Sequence, residues 1–415
     1  MKIVHICTEV HGGAGLGTLK LSTEMSKHGL ESIILTKEKL SDFRHPRTLL
    51  QRITDKISRK LSSLFCANHP KTPVKYQFIG TWSDGTGNKN LLDNPMVQEA
   101  DIVYLHWINK MLSIEEIGRL LALGKKVVWI MRDMWPMTGG CHYSLECELY
   151  KTHCTDCPLV EFDNHENLSS KVLDRKLQSF VGHPNLVISG ISRWISECAK
   201  QSRLFQNNDV FTIPNIMDAE VYHPIRREIA REVLQLPAEK KLILFGAQKG
   251  TQNFYKGWSF LKEALGQLDS SYELVVFGED FNEEIVQDVP LKVHFLGRIF
   301  DHKTMFSLIY SAADVYVSPT LAESFGKTIA ESSLCRTPVV CFGIGGTLDL
   351  VKHQQTGYLA KYKDSADLLK GIQWVIANNR DGSIGTAARD YINSFCNSDA
   401  VINQHKEMWQ RKGWI

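Results

Sequence analysis

Short apolar runs alternate with longer stretches of helix-like composition along the whole chain. In the first half they span residues 2–7, 32–36, 101–107, 126–131, 185–191 and 209–214, and in the second half 241–246, 272–278, 292–297, 313–318 and 337–342. The apolar residues of each run are consecutive, which is typical of parallel strands buried on both faces. Strand–helix alternation that occurs twice predicts two doubly wound α/β domains.

The predicted domain boundary lies where the strand at 209–214 ends and the chain turns toward a charged helix at 225–234. We expect a Rossmann-like first domain at residues 1–215 and a Rossmann-like second domain at residues 216–397. Residues 398–415 have the pattern of one amphipathic helix. We expect this helix to cross back to the first domain.

A basic amphipathic insertion at residues 44–65 interrupts the first domain. Its leucines and isoleucines recur at helical spacing, and arginines and lysines occupy much of the rest. Because basic amphipathic helices bind anionic membrane surfaces, the insertion predicts a peripheral attachment to a membrane. An ordinary surface helix packed on its own domain explains the pattern equally well, and both interpretations stay open.

The composition is that of an ordinary globular protein. The chain has 415 residues, 43% hydrophobic and 23% charged, which suits two domains. A formal net charge of +2 lacks the basic signature of a nucleic-acid-binding protein. No apolar run has the length of a membrane span or a signal peptide, and ten cysteines without a secretion signal predict the reducing cytoplasm.

Four cysteines cluster in a polar loop at residues 138–158, with the spacing Cys-x5-Cys-x6-Cys-x2-Cys. They are Cys141, Cys147, Cys154 and Cys157. Four thiolates complete a structural zinc site, which has no open position for catalysis. A metal would organise this loop where a core cannot. Free buried thiols and a pair of disulfides are the alternatives.

Two carboxylates flank the start of a predicted helix after the strand at 313–318. Glu323 precedes Ser324-Phe325-Gly326, which open the helix, and Glu331 lies about two turns into it. The first-turn N–H groups of such a helix attract anions. Carboxylates accept hydrogen bonds from sugar hydroxyls. The block therefore predicts a ligand that has both an anionic part and a sugar.

The same block, followed by Arg-Thr-Pro-Val-Val at 336–340 and the glycines at 345–346, resembles the large retaining glycosyltransferase family of GT-B fold. The resemblance implies that Glu323 contacts the donor sugar and that Glu331 binds the ribose of the nucleotide. It also implies transfer with retention of configuration, without a divalent metal or other cofactor. The backbone that would hold the sugar and diphosphate belongs to Phe325, Gly326, Lys327 and Thr328.

The resemblance extends over nearly the whole chain. It implies that Gly13 and Gly15, after the first strand, approach the diphosphate and that Lys256 binds phosphate. The turn that contains Arg298 and Ile299 would meet the base. The family usually has an arginine after the strand at 241–246, where this chain has Gln248 and Lys249, so the residue that supplies the second positive charge stays open.

The first-domain site departs from the family pattern. Many relatives have His-Asp where this chain has Arg132-Asp133, and that histidine lies near the transferred sugar. Arg132 is a fixed cation suited to stabilising the leaving diphosphate. His106 or His142 would contact the sugar or the acceptor instead, and a structural histidine is the alternative for each.

A narrower resemblance concerns Trp135-Pro-x-Thr-Gly-Gly-Cys141 and the cysteines that follow. It is to glycosyltransferases of colanic-acid and related exopolysaccharide assembly. The chain is therefore predicted to be a hexosyltransferase-type enzyme of bacterial surface polysaccharide biosynthesis, such as that of O-antigen. The donor would be a GDP-, UDP- or ADP-sugar and the acceptor a glycan or a polyprenyl-diphosphate-linked oligosaccharide. A sugar-nucleotide epimerase of the same fold and a non-catalytic sugar-nucleotide-binding subunit are the alternatives.

Overall fold

The computed structural model describes residues 1–38, 77–78, 81–87, 90–161, 167–246, 253–281, 283–299 and 303–415. The predicted insertion at 44–65 and the predicted donor residues Gln248 and Lys249 lie outside these ranges. Within them, no helix combines the length and the apolar character needed to cross a membrane.

The strands are short, and most are buried on both faces. They are Lys2–Ile6 (β1), Glu31–Leu35 (β2), Gln77–Phe78 (β3), Ile102–Leu105 (β4), Lys126–Met131 (β5), Val160–Glu161 (β6), Leu186–Gly190 (β7), Val210–Thr212 (β8), Lys241–Gly246 (β9), Tyr272–Phe277 (β10), Val293–Phe295 (β11), Val315–Ser318 (β12), Val339–Phe342 (β13) and Gly357–Ala360 (β14).

Two six-stranded parallel sheets result. The first has the order β2-β1-β4-β5-β7-β8 and the second the order β11-β10-β9-β12-β13-β14. A separate antiparallel pair joins β3 to β6. In each sheet the chain first adds strands on one side of the starting strand, β1 or β9, and then continues on its other side. Doubly wound folds bind ligands at the carboxyl edge of the sheet near this change of direction.

Helices cover both sheets. They are Gly12–Lys27 (α1), Pro95–Glu99 (α2), Ile114–Ala122 (α3), Leu168–Phe180 (α4), Arg193–Gln201 (α5), Arg227–Val233 (α6), Trp258–Leu265 (α7), Glu283–Asp288 (α8), Lys303–Ala312 (α9), Lys327–Leu334 (α10), Thr347–Leu350 (α11), Ser365–Asn378 (α12), Ser383–Cys396 (α13) and Ser398–Arg411 (α14).

The consecutive apolar residues predict the central strands well. Every residue of β4 and β10 is buried, because helices cover both faces of each sheet. Strand β14 is not predicted by the apolar pattern, because it is short and begins with a glycine. The predicted domain boundary at residue 215 falls between β8 and α6.

The last helix returns to the first domain, as predicted. His405 and Trp409 of α14 are buried beside Tyr104 of β4. The Trp409 Nε1–H donates to the Tyr104 hydroxyl at 2.9 Å, and that hydroxyl lies 3.1 Å from His405 Nδ1. This polar contact is fully enclosed by the surrounding core, so it fixes both the position and the rotation of the helix.

Candidate active site

The second-domain half of the site is built where β9 and β12 end side by side. The turn Phe254–Lys256 docks on residues 319–321, because the Tyr255 carbonyl accepts bonds from the Leu321 amide at 2.8 Å and the Thr320 hydroxyl at 2.9 Å. Gly257 follows with φ +64°, and a Cβ there would collide with a carbonyl oxygen of the 319–321 segment. Only glycine allows this close approach.

The docked turn places the Lys256 Nζ 3.6 Å from Oε2 of Glu323. Both side chains remain partly exposed, 29% and 20% respectively, so they are open to a ligand. The Glu323 carbonyl accepts the Gly346 amide at 2.9 Å, which anchors the backbone below the carboxylate. The structure thus brings together two predicted site residues.

Helix α10 begins at Lys327, four residues after Glu323, and leaves its first amides uncapped. Gly326, with φ +99°, occupies the position before the helix, and among the described residues no side chain caps this end. Uncapped N–H groups and the helix dipole favour an anion at this point. The predicted residues Phe325, Lys327 and Thr328 belong to this turn.

Glu331 lies deeper in the second domain. Its side chain is only 5% exposed, Oε2 accepts the Tyr310 hydroxyl at 2.9 Å, and Oε1 lies 3.4 Å from Lys327 Nζ. Burial, and then the Glu331 charge, raise the pKa of Tyr310 well above its usual range, so Tyr310 remains a donor. A ligand hydroxyl would share this carboxylate with Tyr310 and Lys327.

The two residues predicted to meet the base lie after β11, at the edge of the same sheet. Arg298 is exposed and its Nε lies 3.1 Å from Asp280 Oδ2, while Ile299 is half-buried. The predicted glycines lie at the start of α1, on the other domain. A Cβ on Gly15 would come within 2.5 Å of the Val10 backbone, whereas a Cβ on Gly13 would meet open space.

Arg132 occupies the carboxyl end of β5, and its guanidinium is held in one position. One terminal nitrogen donates to Asn215 Oδ1 and the other to His106 Nδ1 at 3.3 Å. The group also lies against Gly17 of α1, where a Cβ would come within 2.7 Å of it. Burial lowers the pKa of Arg132 to about 10, so the group is a cation at neutral pH.

His106 is buried, 2% exposed, and both of its ring nitrogens have partners. Because Nδ1 accepts from Arg132, Nε2 carries the proton and donates to His5 Nδ1 at 2.9 Å. Burial, followed by the charge of Arg132, holds the pKa of His106 well below its usual range. In this structure the ring supports Arg132 and does not itself face the cleft.

His142 is similarly enclosed, with 3% exposure. Its Nδ1 lies 2.6 Å from Asp133 Oδ2 and its Nε2 lies 3.0 Å from the Ser83 hydroxyl. Asp133 also accepts the Trp135 amide at 2.9 Å. The predicted contact between His142 and a sugar would need these bonds to open.

The four clustered cysteines line one small cavity in the predicted loop. All four are free thiols, and burial raises the pKa of Cys141 to about 12 and that of Cys154 to about 11. Nevertheless, no group of three or more His, Cys, Asp or Glu side chains in the described part of the chain is arranged to hold a metal ion.

The two domains meet across the cleft through contacts that the sequence analysis missed. The Ser324 hydroxyl donates to the Tyr143 hydroxyl at 3.1 Å, Lys363 Nζ lies 2.6 Å from Glu146, and Arg193 Nε lies 2.6 Å from Asp349. A cavity of about 210 Å³ lies between the domains at this point. Each of these residues contacts a partner that is far away along the chain, and apart from Ser324 none belongs to the donor-site motif.

The family model for glycosyl transferases group 1 matches residues 226–391. Residues 226–391 of the second domain therefore match this family, within a chain of GT-B fold. The predicted likeness to GT-B glycosyltransferases and the predicted fold are confirmed, whereas retention of configuration and the likeness to exopolysaccharide enzymes stay predictions.

Two curated relatives are both D-inositol 3-phosphate glycosyltransferases. The one from Xylanimonas cellulosilytica is 34% identical over 164 residues, which are 38% of this chain and 37% of the relative. The one from Corynebacterium aurimucosum is 24% identical over 292 residues, 66% of each chain. The alignments therefore span less than two thirds of either relative. The matched family and both relatives are glycosyltransferases, which is the enzyme class that the sequence predicts.

Among solved structures, that of Anabaena Alr3699/HepE in complex with UDP and glucose superposes with a TM-score of 0.62. The two chains share 16% identity, and 99% of each is covered. At this identity the likeness shows the fold alone. It extends over both domains of this GT-B protein, whereas the family model matches only part of the chain.

Proposed function

We propose that this GT-B protein transfers a hexose from a nucleoside diphosphate sugar to an acceptor hydroxyl, with retention of configuration. The observation that carries the proposal is the partly exposed pair of Lys256 and Glu323 at the uncapped start of α10. A cation, uncapped amides and a carboxylate at one point suit a ligand with a diphosphate next to a sugar. The binding of UDP and glucose by the Anabaena protein supports this donor class.

The donor lies along the carboxyl edge of the second sheet. Its diphosphate binds Lys256 and the amides of residues 325–328, and its sugar hydroxyls donate to Glu323. The ribose binds Glu331 and the base meets the backbone of Arg298 and Ile299. The amides near Gly13 and Gly15 approach the diphosphate from the first domain. Whether the nucleotide is GDP, UDP or ADP stays open.

The reaction breaks the bond between the anomeric carbon and the β-phosphate oxygen and forms one to the acceptor oxygen on the same face of the sugar. The departing diphosphate takes the acceptor proton, so no side chain has to form a covalent intermediate. The chief demand on the protein is to stabilise negative charge on the leaving group. Lys256, the start of α10 and the guanidinium of Arg132 meet that demand without a metal ion.

The two histidines act as positioning residues. His106 holds the Arg132 guanidinium, and His142 holds the Asp133 carboxylate, through the bonds described above. An acceptor hydroxyl would meet Arg132 or Asp133 sooner than either ring, because both rings are almost completely buried.

Zinc is the best match to four thiolates, and to bind it the four cysteines of this loop would have to draw closer together than they lie in the described structure. The support is that all four thiols line one cavity and that the loop has little regular structure of its own. Metal analysis of the purified protein should find one zinc per chain. Cobalt replacement should give thiolate-to-metal absorption that Cys157→Ser weakens and Cys198→Ser, a buried thiol elsewhere, leaves unchanged. A metal-free protein whose melting temperature is unaffected by chelators would contradict this part.

The acceptor is a glycan or a polyprenyl-diphosphate-linked oligosaccharide of a bacterial surface polysaccharide. The motif from Trp135 to Cys157, which resembles exopolysaccharide glycosyltransferases, supports this assignment. Attachment of the insertion at 44–65 to the inner face of the cytoplasmic membrane would place the enzyme beside such a lipid-linked acceptor.

Substitution of Glu323 tests the central proposal. Glu323→Gln should lower kcat/KM by roughly 10- to 100-fold, since a hydrogen bond to a charged group contributes about 1.5–3 kcal/mol. Release of nucleoside diphosphate from UDP-glucose and GDP-mannose is the assay, and the exposed Glu239→Gln is the matched control. Normal turnover by Glu323→Gln would refute the assignment. Formation of an epimerised sugar nucleotide when the donor is supplied alone would favour the epimerase alternative. Tight binding of the donor without any turnover would favour the alternative of a non-catalytic subunit.

A further inference from the structure

The cavity between the domains combines aromatic side chains with carboxylates. Its walls include Tyr143, Glu146 and Trp194 from the first domain and Glu323 and Tyr362 from the second. A volume of about 210 Å³ gives enough room for a sugar ring. Since Glu323 forms one end of the cavity, the cavity adjoins the proposed position of the donor sugar.

In the part of the chain that the structure describes, the residues that line the cavity supply no cation to a ligand. Among the described residues that line it there is no lysine, arginine or histidine, whereas two residues are glutamates. The cations nearby are already paired with carboxylates, in the ion pairs Lys363–Glu146, Lys256–Glu323 and Arg193–Asp349. Because these cations are already paired, a phosphate group, which carries between one and two negative charges at neutral pH, would be buried here without a cation of its own, which is costly.

The aromatic walls favour the faces of a sugar ring. Trp194, at the start of α5, packs against Gly345 of the second domain, where a Cβ would lie 3.6 Å from the indole. Tyr143 and Tyr362 also line the cavity, and Tyr143 packs against the ring of Tyr255 behind it, with centroids 5.4 Å apart. Apolar C–H faces bury well against such rings, while ring hydroxyls donate to carboxylates.

We propose that this cavity is the acceptor subsite and that it selects an uncharged saccharide ring over a phosphorylated acceptor. The inference rests on the proposed function and specifies its acceptor. It separates this chain from the two curated relatives, whose name specifies a phosphorylated acceptor, inositol 3-phosphate. Because both domains contribute walls, the subsite is complete only when the cleft is closed.

The experiment compares matched neutral and phosphorylated probes. Each neutral probe is compared with its own phosphorylated partner. The pairs are methyl α-glucoside with glucose 6-phosphate, methyl α-mannoside with mannose 6-phosphate, methyl N-acetyl-α-glucosaminide with N-acetylglucosamine 6-phosphate, and inositol with inositol 3-phosphate. Binding is followed by saturation-transfer NMR with UDP or GDP present, and turnover by nucleoside diphosphate release. At least one neutral probe should bind ten-fold or more tightly than its phosphorylated partner.

Two variants locate the binding. Trp194→Ala should weaken the preferred neutral probe at least ten-fold, while Trp414→Ala, at the end of the chain, should not. Glu146→Lys should shift the preference toward phosphorylated probes at least ten-fold, while Glu148→Lys, in the same loop but outside the cavity, should not. Thermal shift with UDP and GDP verifies that each variant is folded.

The outcomes separate the subsite from the proposed function. The acceptor subsite would be refuted if only phosphorylated probes stimulated donor turnover, or if none of the neutral probes bound in the NMR experiment. Either result would leave the proposed transferase activity intact. Failure to bind or turn over any sugar nucleotide would overturn the proposed function and, with it, the subsite.

Discussion

Replacement of Arg132 by methionine should remove most of the catalytic rate while the protein stays folded. The guanidinium is fixed by Asn215 on one side and by His106 on the other, so it needs no rearrangement when charge develops on the leaving group. Loss of one preorganised donor of this kind typically lowers kcat by about 10²–10³-fold, or about 2.7–4 kcal/mol. We expect that loss in kcat, with little change in the KM for the donor.

The effect on folding should be smaller, because two contributions oppose each other. Methionine leaves the Asn215 oxygen and His106 Nδ1 without a donor, at a cost of about 1–3 kcal/mol each. It also removes a cation whose Nε is buried without a partner among the described residues. That charge is costly to bury, so its loss offsets part of the penalty.

The assay is steady-state release of nucleoside diphosphate, with the melting temperature measured alongside. Arg132→Lys keeps the charge but cannot reach both partners at once, so it should fall between wild type and Arg132→Met. Arg119→Met, on an exposed arginine of α3, is the matched control. If Arg132→Met kept kcat within three-fold of wild type, Arg132 would have no part in stabilising the leaving group.

Three further outcomes test other parts of the site and the fold. Gly257→Ala should weaken the binding of a UDP-sugar or GDP-sugar more than ten-fold, because the added Cβ must displace the turn that carries Lys256. Isothermal titration calorimetry measures this affinity, and an unchanged value would show that the turn does not hold the donor. His106→Phe should lower kcat by roughly ten-fold by freeing the guanidinium, and His106→Gln, which keeps an acceptor, should restore much of it; equal losses in both would contradict a positioning role. Glu24→Gln should lower the free energy of unfolding at pH 7 by about 1–3 kcal/mol. Burial acts to raise the pKa of Glu24, but hydrogen bonds to Lys27 and Lys20 outweigh it and lower the pKa to about 2. A carboxyl group whose pKa is lower in the folded than in the unfolded state stabilises the protein at pH values above its unfolded pKa. In urea titrations, the difference in free energy of unfolding between wild type and Glu24→Gln should therefore shrink as the pH falls below about 4.5. A difference that does not change with pH would contradict the ion-pair explanation.

The sequence predicts the sheets well because their strands are buried on both faces and leave an unmistakable apolar run. It fails at β14, where four residues beginning with glycine give too short a signal. The donor half of the site could also be predicted from the sequence, because Glu323 and Glu331 lie on one continuous strand–helix segment whose geometry follows from its spacing.

The other half depends on side-chain orientation and on contacts between distant loops. The sequence shows that His106 and His142 end up near the cleft edge, but only the structure shows that both rings point into the protein. Tyr143, Glu146 and Trp194 carry no motif, and their partners are in the other domain. Such contacts arise from how the domains pack, which no local pattern encodes.

The crossing of α14 has a consequence for how the protein is made. Trp409 and His405 fill the interior of the first domain, yet the ribosome synthesises them after the entire second domain. The first domain therefore leaves the ribosome with an unfilled position beside Tyr104, and it can reach its final packing only once the last helix has emerged. Although domains usually fold in the order of their synthesis, we expect the first domain here to acquire full resistance to proteolysis last, when Trp409 docks.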